Sequence, residues 1–189
     1  ELERRGKQYV ALSRANVDYT NFHVLMSYMS RMRHDIELII NCAGYVGKPN
    51  VDTCESHKPE TIVGNVVLPK MLSDICGDLN IRLMHISSGC IYSGYDKAFT
   101  EEDESNFSFV QDNCSFYSGT KALAENLIDK YNSYICRLRI PFDEFDSPRN
   151  YLSKILNYDK LLNMENSISH RRDFVSACLD LHEQRCPVG

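Results

Sequence analysis

Three short apolar runs, separated by longer amphipathic stretches, restrict the fold of this chain more than any other feature. The runs typical of buried strands are residues 36–43, 81–87 and 133–140. The stretches with helical periodicity are residues 19–33, 59–79 and 117–131. Strands that alternate with helices over short connections predict an α/β fold, in which a doubly wound parallel sheet is covered by helices on both faces.

Weaker patterns complete the predicted secondary structure. Residues 7–12 are expected to form a short strand, and residues 148–156 and 173–183 are expected to form helices. Within the 59–79 helix, the side chains predicted to face the core are Val63, Val66, Val67, Met71, Leu72 and Ile75.

Composition and charge exclude several classes of protein. The 189 residues carry a net charge of -5, which argues against nucleic acid as a partner. No apolar run approaches the ~20 residues of a membrane span, and residues 1–6 lack the apolar core of a signal peptide. The eight cysteines form no Cys-x-x-Cys pair and show no ligand spacing with histidine, which favours reduced thiols in a cytoplasmic protein and no metal site. Because the chain begins with Glu1, we expect a fragment of a longer protein.

Tyr117 and Lys121 are the strongest candidates for chemistry. Their spacing places both side chains on one face of a helix, one turn apart. An ammonium beside a phenol is expected to lower the phenol pKa from about 10, which would make Tyr117 a usable proton donor and acceptor. A lone pair of this kind is weak evidence. The polar loops 41–50, 87–94 and 114–121 add weight, because loops at the carboxyl ends of parallel strands meet at one edge of the sheet.

Four motifs in a fixed order resemble the extended short-chain dehydrogenase/reductases, also called the NAD-dependent epimerase/dehydratase family. They are Asn41-Cys42-Ala43-Gly44, Ser87-Ser88-Gly89-Cys90-Ile91-Tyr92, Tyr117-x-x-x-Lys121 and Leu138-Arg139-Ile140-Pro141. Residues 47–58 and 147–151 make the chain most similar to nucleotide-rhamnose synthases and dTDP-4-dehydrorhamnose reductases. The resemblance covers nearly the whole chain from about Tyr9 onward.

The resemblance implies a Rossmann-like NAD(P)-binding domain at 1–145 and part of a substrate-binding region at 146–189. It also implies an enzyme that performs NADPH-dependent 3,5-epimerisation and 4-keto reduction of a nucleotide-linked 4-keto-6-deoxyhexose. Two alternatives stay open. One is a reductase of the dTDP-4-dehydrorhamnose type without epimerase activity, and the other is a non-catalytic binding subunit that keeps the reductase fold.

The resemblance also assigns roles to individual residues. Tyr117 would protonate the sugar oxygen, Lys121 would hold the nicotinamide ribose, and Ser88 would hydrogen-bond the reacting carbonyl. The proposed epimerase groups are Cys90 and Lys154; a small loop cysteine and a solvated lysine are the alternatives. The further cofactor-binding candidates are Arg14, Asn41, Ala43, Gly44, Arg139 and Pro141. The further substrate-binding candidates are Gly89, Asn150 and Arg171. Asn65, His57 and His85 are expected to be structural.

One family feature is absent from the sequence. No Gly-x-x-Gly-x-x-Gly turn occurs, so we expect the first strand and the phosphate-binding loop to be missing and cofactor binding by this chain to be weak. Residues beyond Gly189 that complete the substrate region are also expected to be missing. Arg14 follows the predicted 7–12 strand, where an arginine would favour the 2'-phosphate of NADPH over NADH. A homodimer through 59–79 and 117–131 is a further hypothesis that the resemblance supports.

Overall fold

The computed structural model describes residues 1–95, 97–161 and 163–189. Its strands are β1 Leu38–Asn41, β2 Arg82–Ser88, β3 Ser133–Leu138, β4 Pro141–Phe142 and β5 Ser169–His170. Its α-helices are α1 Phe22–Met32, α2 Lys58–Ile62, α3 Leu68–Leu79, α4 Phe116–Leu127, α5 Tyr151–Ile155 and α6 Arg171–Glu183. Short 3₁₀ turns cover Val51–Glu55 and Gly89–Ile91.

The main sheet is parallel throughout and has the order β1-β2-β3. A second sheet pairs β4 with β5, also in parallel, and brings residue 141 beside residue 169. The chain end at Gly189 lies along the outer edge of β3 and exchanges two backbone hydrogen bonds of 3.0 Å with Ser133 and Ile135. The predicted α/β class and parallel sheet are confirmed.

Alternating side chains of β2 fill cores on opposite faces of the sheet. Leu83 is fully buried on the face covered by α1 and α3, in one cluster with Leu25 and Ile75. Met84 points to the other face, where it packs in a cluster with Tyr134 and with Cys178 of α6. Burying side chains of this size contributes about 1.5–3 kcal/mol each, so both helical layers are held to the sheet by apolar packing.

The predicted 59–79 helix exists but contains a π-helical turn at Val63–Val67 between α2 and α3. A π turn takes more residues than an α turn and therefore shifts the phase of the residues around it. Val63 and Val67 are 45% and 48% exposed, so the prediction that they face the core is wrong. The helix ends at Asn80, whose φ of 55° is left-handed, a conformation that asparagine tolerates.

The predicted strand at 7–12 is wrong. This segment has no regular structure, and its apolar side chains Tyr9 and Val10 are 51% and 61% exposed. A strand needs a neighbour for its backbone N–H and C=O groups, and in the described part of the chain β1 pairs with β2 alone. The predicted helix at 148–156 is shortened to α5, and the helix predicted from residue 173 begins two residues earlier, as α6.

None of the helices that the structure describes combines the length and the apolar character needed to cross a bilayer.

Candidate active site

The predicted convergence of loops occurs where β1 and β2 end and α4 begins. Asn65, in the π turn, accepts a hydrogen bond from Tyr45 N–H at 2.7 Å and donates to Tyr45 O at 2.9 Å. Its amide also donates to Thr120 Oγ1 of α4 at 3.3 Å. Gly64 allows this approach, because a Cβ there would lie 3.0 Å from the Tyr45 backbone N. Asn65 thus ties the loop after β1 to the helix that carries Tyr117.

Tyr117 lies in the first turn of α4, which begins after an N-cap at Ser115. Its phenol lies near the Ser88 hydroxyl, which lowers the pKa of the phenol. Burial raises the pKa of Tyr117 to about 12, against the opposing effect of Ser88. The sequence-based expectation of a lowered pKa is therefore wrong, because desolvation of the phenolate outweighs the lowering effect of Ser88.

Lys121 lies one turn after Tyr117 and is 5% exposed. Its ammonium donates to the Ile86 carbonyl at 3.1 Å. Burial lowers the pKa of Lys121 to about 8, while the nearby Glu125 raises it. An ammonium has three donors, and Ile86 O is the one acceptor given to it by the described residues, so donors remain for the hydroxyls of a ligand.

His85 occupies the core directly beneath this site. Its Nδ1 accepts from the Asn41 amide at 3.0 Å, and Asn41 is fixed in turn by a 3.0 Å bond from Ala43 N–H. The proton therefore sits on Nε2, which has no hydrogen-bond partner among the described residues. Burial first, and Lys121 second, lower the pKa of His85 to about 3.

The low pKa of His85 predicts a loss of stability in mild acid. In the unfolded chain His85 binds a proton near pH 6.5, and in the folded chain only near pH 3. The stability lost by protonating the unfolded chain is therefore zero well above pH 6.5 and grows as the pH falls from 6.5 toward 3. Between pH 7 and 5 the loss should be roughly 2 kcal/mol. His85→Gln, which keeps an oxygen acceptor for Asn41, should remove it.

Urea unfolding at pH 7 and pH 5 measures this effect, with the exposed His34→Gln as the matched control. An unchanged difference between the two pH values in His85→Gln would contradict the assignment.

Cys90 lies on the same side of the site as the two α4 residues. It is half-buried in the 3₁₀ turn after β2, and its backbone N–H donates to Ser88 Oγ at 3.2 Å. The 3₁₀ turn that holds Cys90 packs against α4, the helix of Tyr117 and Lys121. Arg139 Nη1 donates to Cys90 Sγ at 3.3 Å. Ser88, Cys90, Tyr117 and Lys121 are thus brought together.

Several other candidates have side chains that structural bonds already use. Asn150 is 3% exposed and donates to Asp143 O at 2.8 Å and Phe145 O at 2.6 Å, which closes the 143–145 loop. Arg171 forms an ion pair with Asp143. Pro141 begins β4.

Two candidates have no hydrogen bond or ion pair to the cluster among the described residues. Arg14 is exposed and stacks over the Tyr19 ring at 5.7 Å. Lys154 lies in the last turn of α5, and in the described residues no hydrogen bond or ion pair joins its side chain to Cys90 or Tyr117.

Sequence reasoning missed a buried charged network beside the site. The Glu125 carboxylate accepts from Ser87 and from Arg137, whose Nη2 lies 2.9 Å away. Arg137 Nη1 donates to the Tyr92 hydroxyl at 2.7 Å, and that hydroxyl donates to Asp103 O at 2.8 Å. The sequence contains a signal for this network. An arginine inside an apolar strand, such as Arg137, requires a buried partner, and Glu125 lies on the predicted helix one turn after Lys121.

A protein-family model described as the RmlD substrate binding domain matches residues 1–172. A trifunctional UDP-glucose 4,6-dehydratase/UDP-4-keto-6-deoxy-D-glucose 3,5-epimerase/UDP-4-keto-L-rhamnose-reductase of Arabidopsis thaliana is 40% identical over 141 residues, or 69% of this chain and 20% of that protein. A bifunctional dTDP-4-dehydrorhamnose 3,5-epimerase/dTDP-4-dehydrorhamnose reductase of Arabidopsis thaliana is 39% identical over 142 residues, or 69% of this chain and 45% of that protein. The chain thus spans less than half the length of these two relatives.

Two solved structures share the fold. The UDP-rhamnose synthase of Acanthamoeba polyphaga mimivirus has a TM-score of 0.85 at 24% identity, covering 99% of this chain and 66% of that chain. A dTDP-4-dehydrorhamnose reductase from Bacillus anthracis, solved in complex with NADP, has a TM-score of 0.70 at 16% identity, covering 97% of this chain and 64% of that chain. At these identities the likeness concerns the Rossmann-like fold alone.

Proposed function

Because the chain belongs to the RmlD substrate-binding-domain family, we propose that it carries the reducing site of an enzyme that acts on a nucleotide-linked 4-keto-6-deoxyhexose. The resemblance drawn from the sequence motifs is confirmed at the level of the family. The reaction is 4-keto reduction with NADPH, preceded by epimerisation at C3 and C5, and its product is an activated rhamnose-type sugar. The reductase named in both Arabidopsis relatives supports this choice.

The observation that carries the proposal is the assembly of Ser88, Tyr117 and Lys121 at the edge where β2 ends. With a pKa of about 12, Tyr117 holds its proton at neutral pH, which is the form that a general acid needs. The Ser88 hydroxyl lies near the phenol, and the two groups would together bind the keto oxygen. As that oxygen becomes negative, Tyr117 gives it a proton. A binding module needs no such trio.

The residues present fit the nicotinamide end of the cofactor. The buried ammonium of Lys121 uses one N–H donor for the Ile86 carbonyl and has further N–H donors for ribose hydroxyls. Ala43 and Gly44 would let a ligand approach the backbone after β1. NADPH supplies the hydride when it is bound, and NADH is the alternative donor. Arg14 would favour NADPH through its charge. No glycine-rich turn for the diphosphate occurs in the 189 residues.

The finer assignments concern the sugar. We assign residues 1–145 to the cofactor half and 146–189 to part of the substrate half, where Gly89, Asn150 and Arg171 would border the nucleotide sugar. Cys90 is the proposed base of the epimerisation, because the turn that holds it packs against the helix of Tyr117 and Lys121. Lys154 is the proposed group that returns the proton. A reductase without epimerase activity is the alternative.

A deuterium-exchange experiment tests this function. A form of the protein extended to the length of its relatives is mixed with UDP-4-keto-6-deoxyglucose and NADPH in deuterated water. We expect deuterium at C3 and C5 and oxidation of NADPH. Cys90→Ser should abolish the exchange but spare reduction of an already epimerised substrate, since the thiol has no part in reduction.

The outcomes separate the candidates. NADPH oxidation without exchange in the unsubstituted protein would leave the simple reductase. Failure of the extended form to bind NADPH in a fluorescence titration would favour a non-catalytic binding subunit.

A homodimer is proposed through the exposed apolar face that the π turn and α4 share. Val67 is 48% exposed and Leu127 is 40% exposed on this face, and Phe22 borders the same groove. Burying such a patch between two copies would remove apolar area from water. Sedimentation at micromolar concentration should show a dimer, and Val67→Glu should yield a monomer. A monomer in the unsubstituted protein would contradict the proposal.

A further inference from the structure

The guanidinium of Arg139 contacts the thiol of Cys90, and in the described residues it has no carboxylate partner. We infer that Arg139 is a positioning residue that holds the Cys90 sulfur in its thiolate form, ready to remove a proton from carbon. The inference rests on the proposed epimerisation and deepens it. It gives Arg139 a role toward Cys90 in place of the role toward cofactor that the sequence motif implies.

Arg139 is fixed by two hydrogen bonds of its guanidinium and two of its backbone. Its Nη1 donates to Cys90 Sγ at 3.3 Å, and its Nε donates to Asn166 Oδ1 at 3.3 Å. The backbone of the same residue donates to Ser169 Oγ at 3.2 Å and accepts from Ser169 N–H at 2.9 Å. The arginine is therefore held both at its main chain and at its tip.

Gly89 makes room for this arrangement. A Cβ at position 89 would lie 3.1 Å from both Cβ and Cδ of Arg139, so the arginine stem packs directly on the glycine backbone. The residue immediately before Cys90 thus leaves the space through which Arg139 reaches the sulfur.

Within the described part of the chain, the charge of Arg139 has no acidic partner. Among the described residues no carboxylate lies within ion-pair distance of its guanidinium, whereas Arg137, two residues earlier, pairs with Glu125. A guanidinium stays protonated at every pH relevant to the protein. Its N–H bond to sulfur stabilises a thiolate more than a thiol, as positive neighbours do at reactive cysteines.

The proton balance of the step is simple. The Cys90 thiolate takes the proton from the carbon beside the keto group, so a C–H bond breaks and an S–H bond forms. The electron pair moves to the keto oxygen, which becomes an enolate. Lys154, the proposed donor, would give a proton to the opposite face of that carbon as the electron pair returns from the enolate oxygen, which restores the ketone and completes the inversion. The Cys90 thiol then gives its proton to water, which restores the thiolate, and the neutral lysine takes up a proton from water. Arg139 exchanges no proton and only fixes the charge state of the sulfur before the step.

Alkylation of Cys90 by iodoacetamide tests the inference without substrate or cofactor. The tryptic peptide 83–97 contains Cys90 as its one cysteine, and peptide 98–121 contains Cys114 as an internal reference. In Arg139→Gln we expect the pH midpoint of Cys90 alkylation to rise by about one pH unit, which is a tenfold loss of thiolate below the midpoint. Arg139→Lys, which keeps a cation, should recover at least half of this change.

Two further variants make the result decisive. Gly89→Ala displaces the arginine stem without removing its charge and should raise the same midpoint by a smaller amount. Arg31→Gln removes an exposed guanidinium from α1 and should leave it unchanged. A folded Arg139→Gln protein with the unsubstituted midpoint would overturn the inference, as would a loss of NADPH affinity in that variant with no change at Cys90. Because no turnover is measured, a failure of the proposed reaction would be seen separately.

Discussion

Replacing Tyr117 by phenylalanine is expected to lower the rate of keto reduction by about 10²- to 10⁴-fold, the usual contribution of a positioned general acid. The ring remains in its buried place, so the change removes little more than the phenol hydroxyl. Because that hydroxyl supplies the proton to the keto oxygen, the loss should fall on kcat and not on KM. The measurement is single-turnover oxidation of NADPH with an already epimerised substrate, on the protein extended to the length of its relatives.

Tyr131→Phe is the matched control for this prediction. Tyr131 is 92% exposed shortly after the end of α4, so the same chemical change there should leave the rate unchanged. Removing one hydroxyl from the buried ring should cost Tyr117→Phe about 1 kcal/mol of stability at most, too little to unfold the chain. A Tyr117→Phe protein that keeps a tenth or more of the unsubstituted rate would remove Tyr117 from the role of general acid.

The regular elements could be predicted from the sequence because their signals are local. The apolar runs at β1, β2 and β3 and the helical periods between them depend on residues a few positions apart. The errors fall where a distant partner decides the outcome. The apolar segment 7–12 has the composition of a strand but no strand to pair with. The spacing of apolar residues does not reveal the extra residue of the π turn, so it predicts the wrong face for Val63 and Val67.

In the site, too, some features could be predicted from the sequence and others depend on distant contacts. The order of the motifs was enough to predict that Ser88, Tyr117 and Lys121 would meet, because parallel strands end at one edge. The direction of the Tyr117 pKa shift was not predictable from spacing, since it depends on how deeply the phenol is buried. The partner of Arg139 was equally hidden, because the residue that makes room for it is a glycine before Cys90 in another strand's loop.

The network around Glu125 links this site to the loop that follows β2. Glu125 is on the helix of Tyr117 and Lys121, and Arg137 lies beside Ser87 in the neighbouring strand. Through Arg137 and the Tyr92 hydroxyl the chain of bonds reaches the backbone of Asp103. The Glu125–Arg137 pair therefore supports the core below the site and holds the loop after β2. Removing the pair should destabilise both regions.

Arg137→Met is expected to destabilise the protein by about 3 kcal/mol, because breaking a buried pair leaves an uncompensated charge. The Glu125 side chain is 6% exposed and would keep, among the described residues, only the Ser87 hydroxyl as a donor. The Arg137 side chain is 27% exposed, so water can reach part of the site. This places the expected loss at the low end of the range for buried pairs. The measurement is the free energy of unfolding in urea at pH 7.

Two comparisons sharpen this prediction. Lys70→Met breaks the exposed pair with Asp74 in α3 and should cost under about 0.5 kcal/mol. The double variant Arg137→Met with Glu125→Gln should recover a large part of the loss, since the amide carries no charge to leave unpaired. If Arg137→Met costs no more than Lys70→Met, the Glu125–Arg137 pair does not hold this part of the fold, and the loop after β2 must be fixed by its own contacts, such as the stacking of Tyr92 on Phe99 at 4.6 Å.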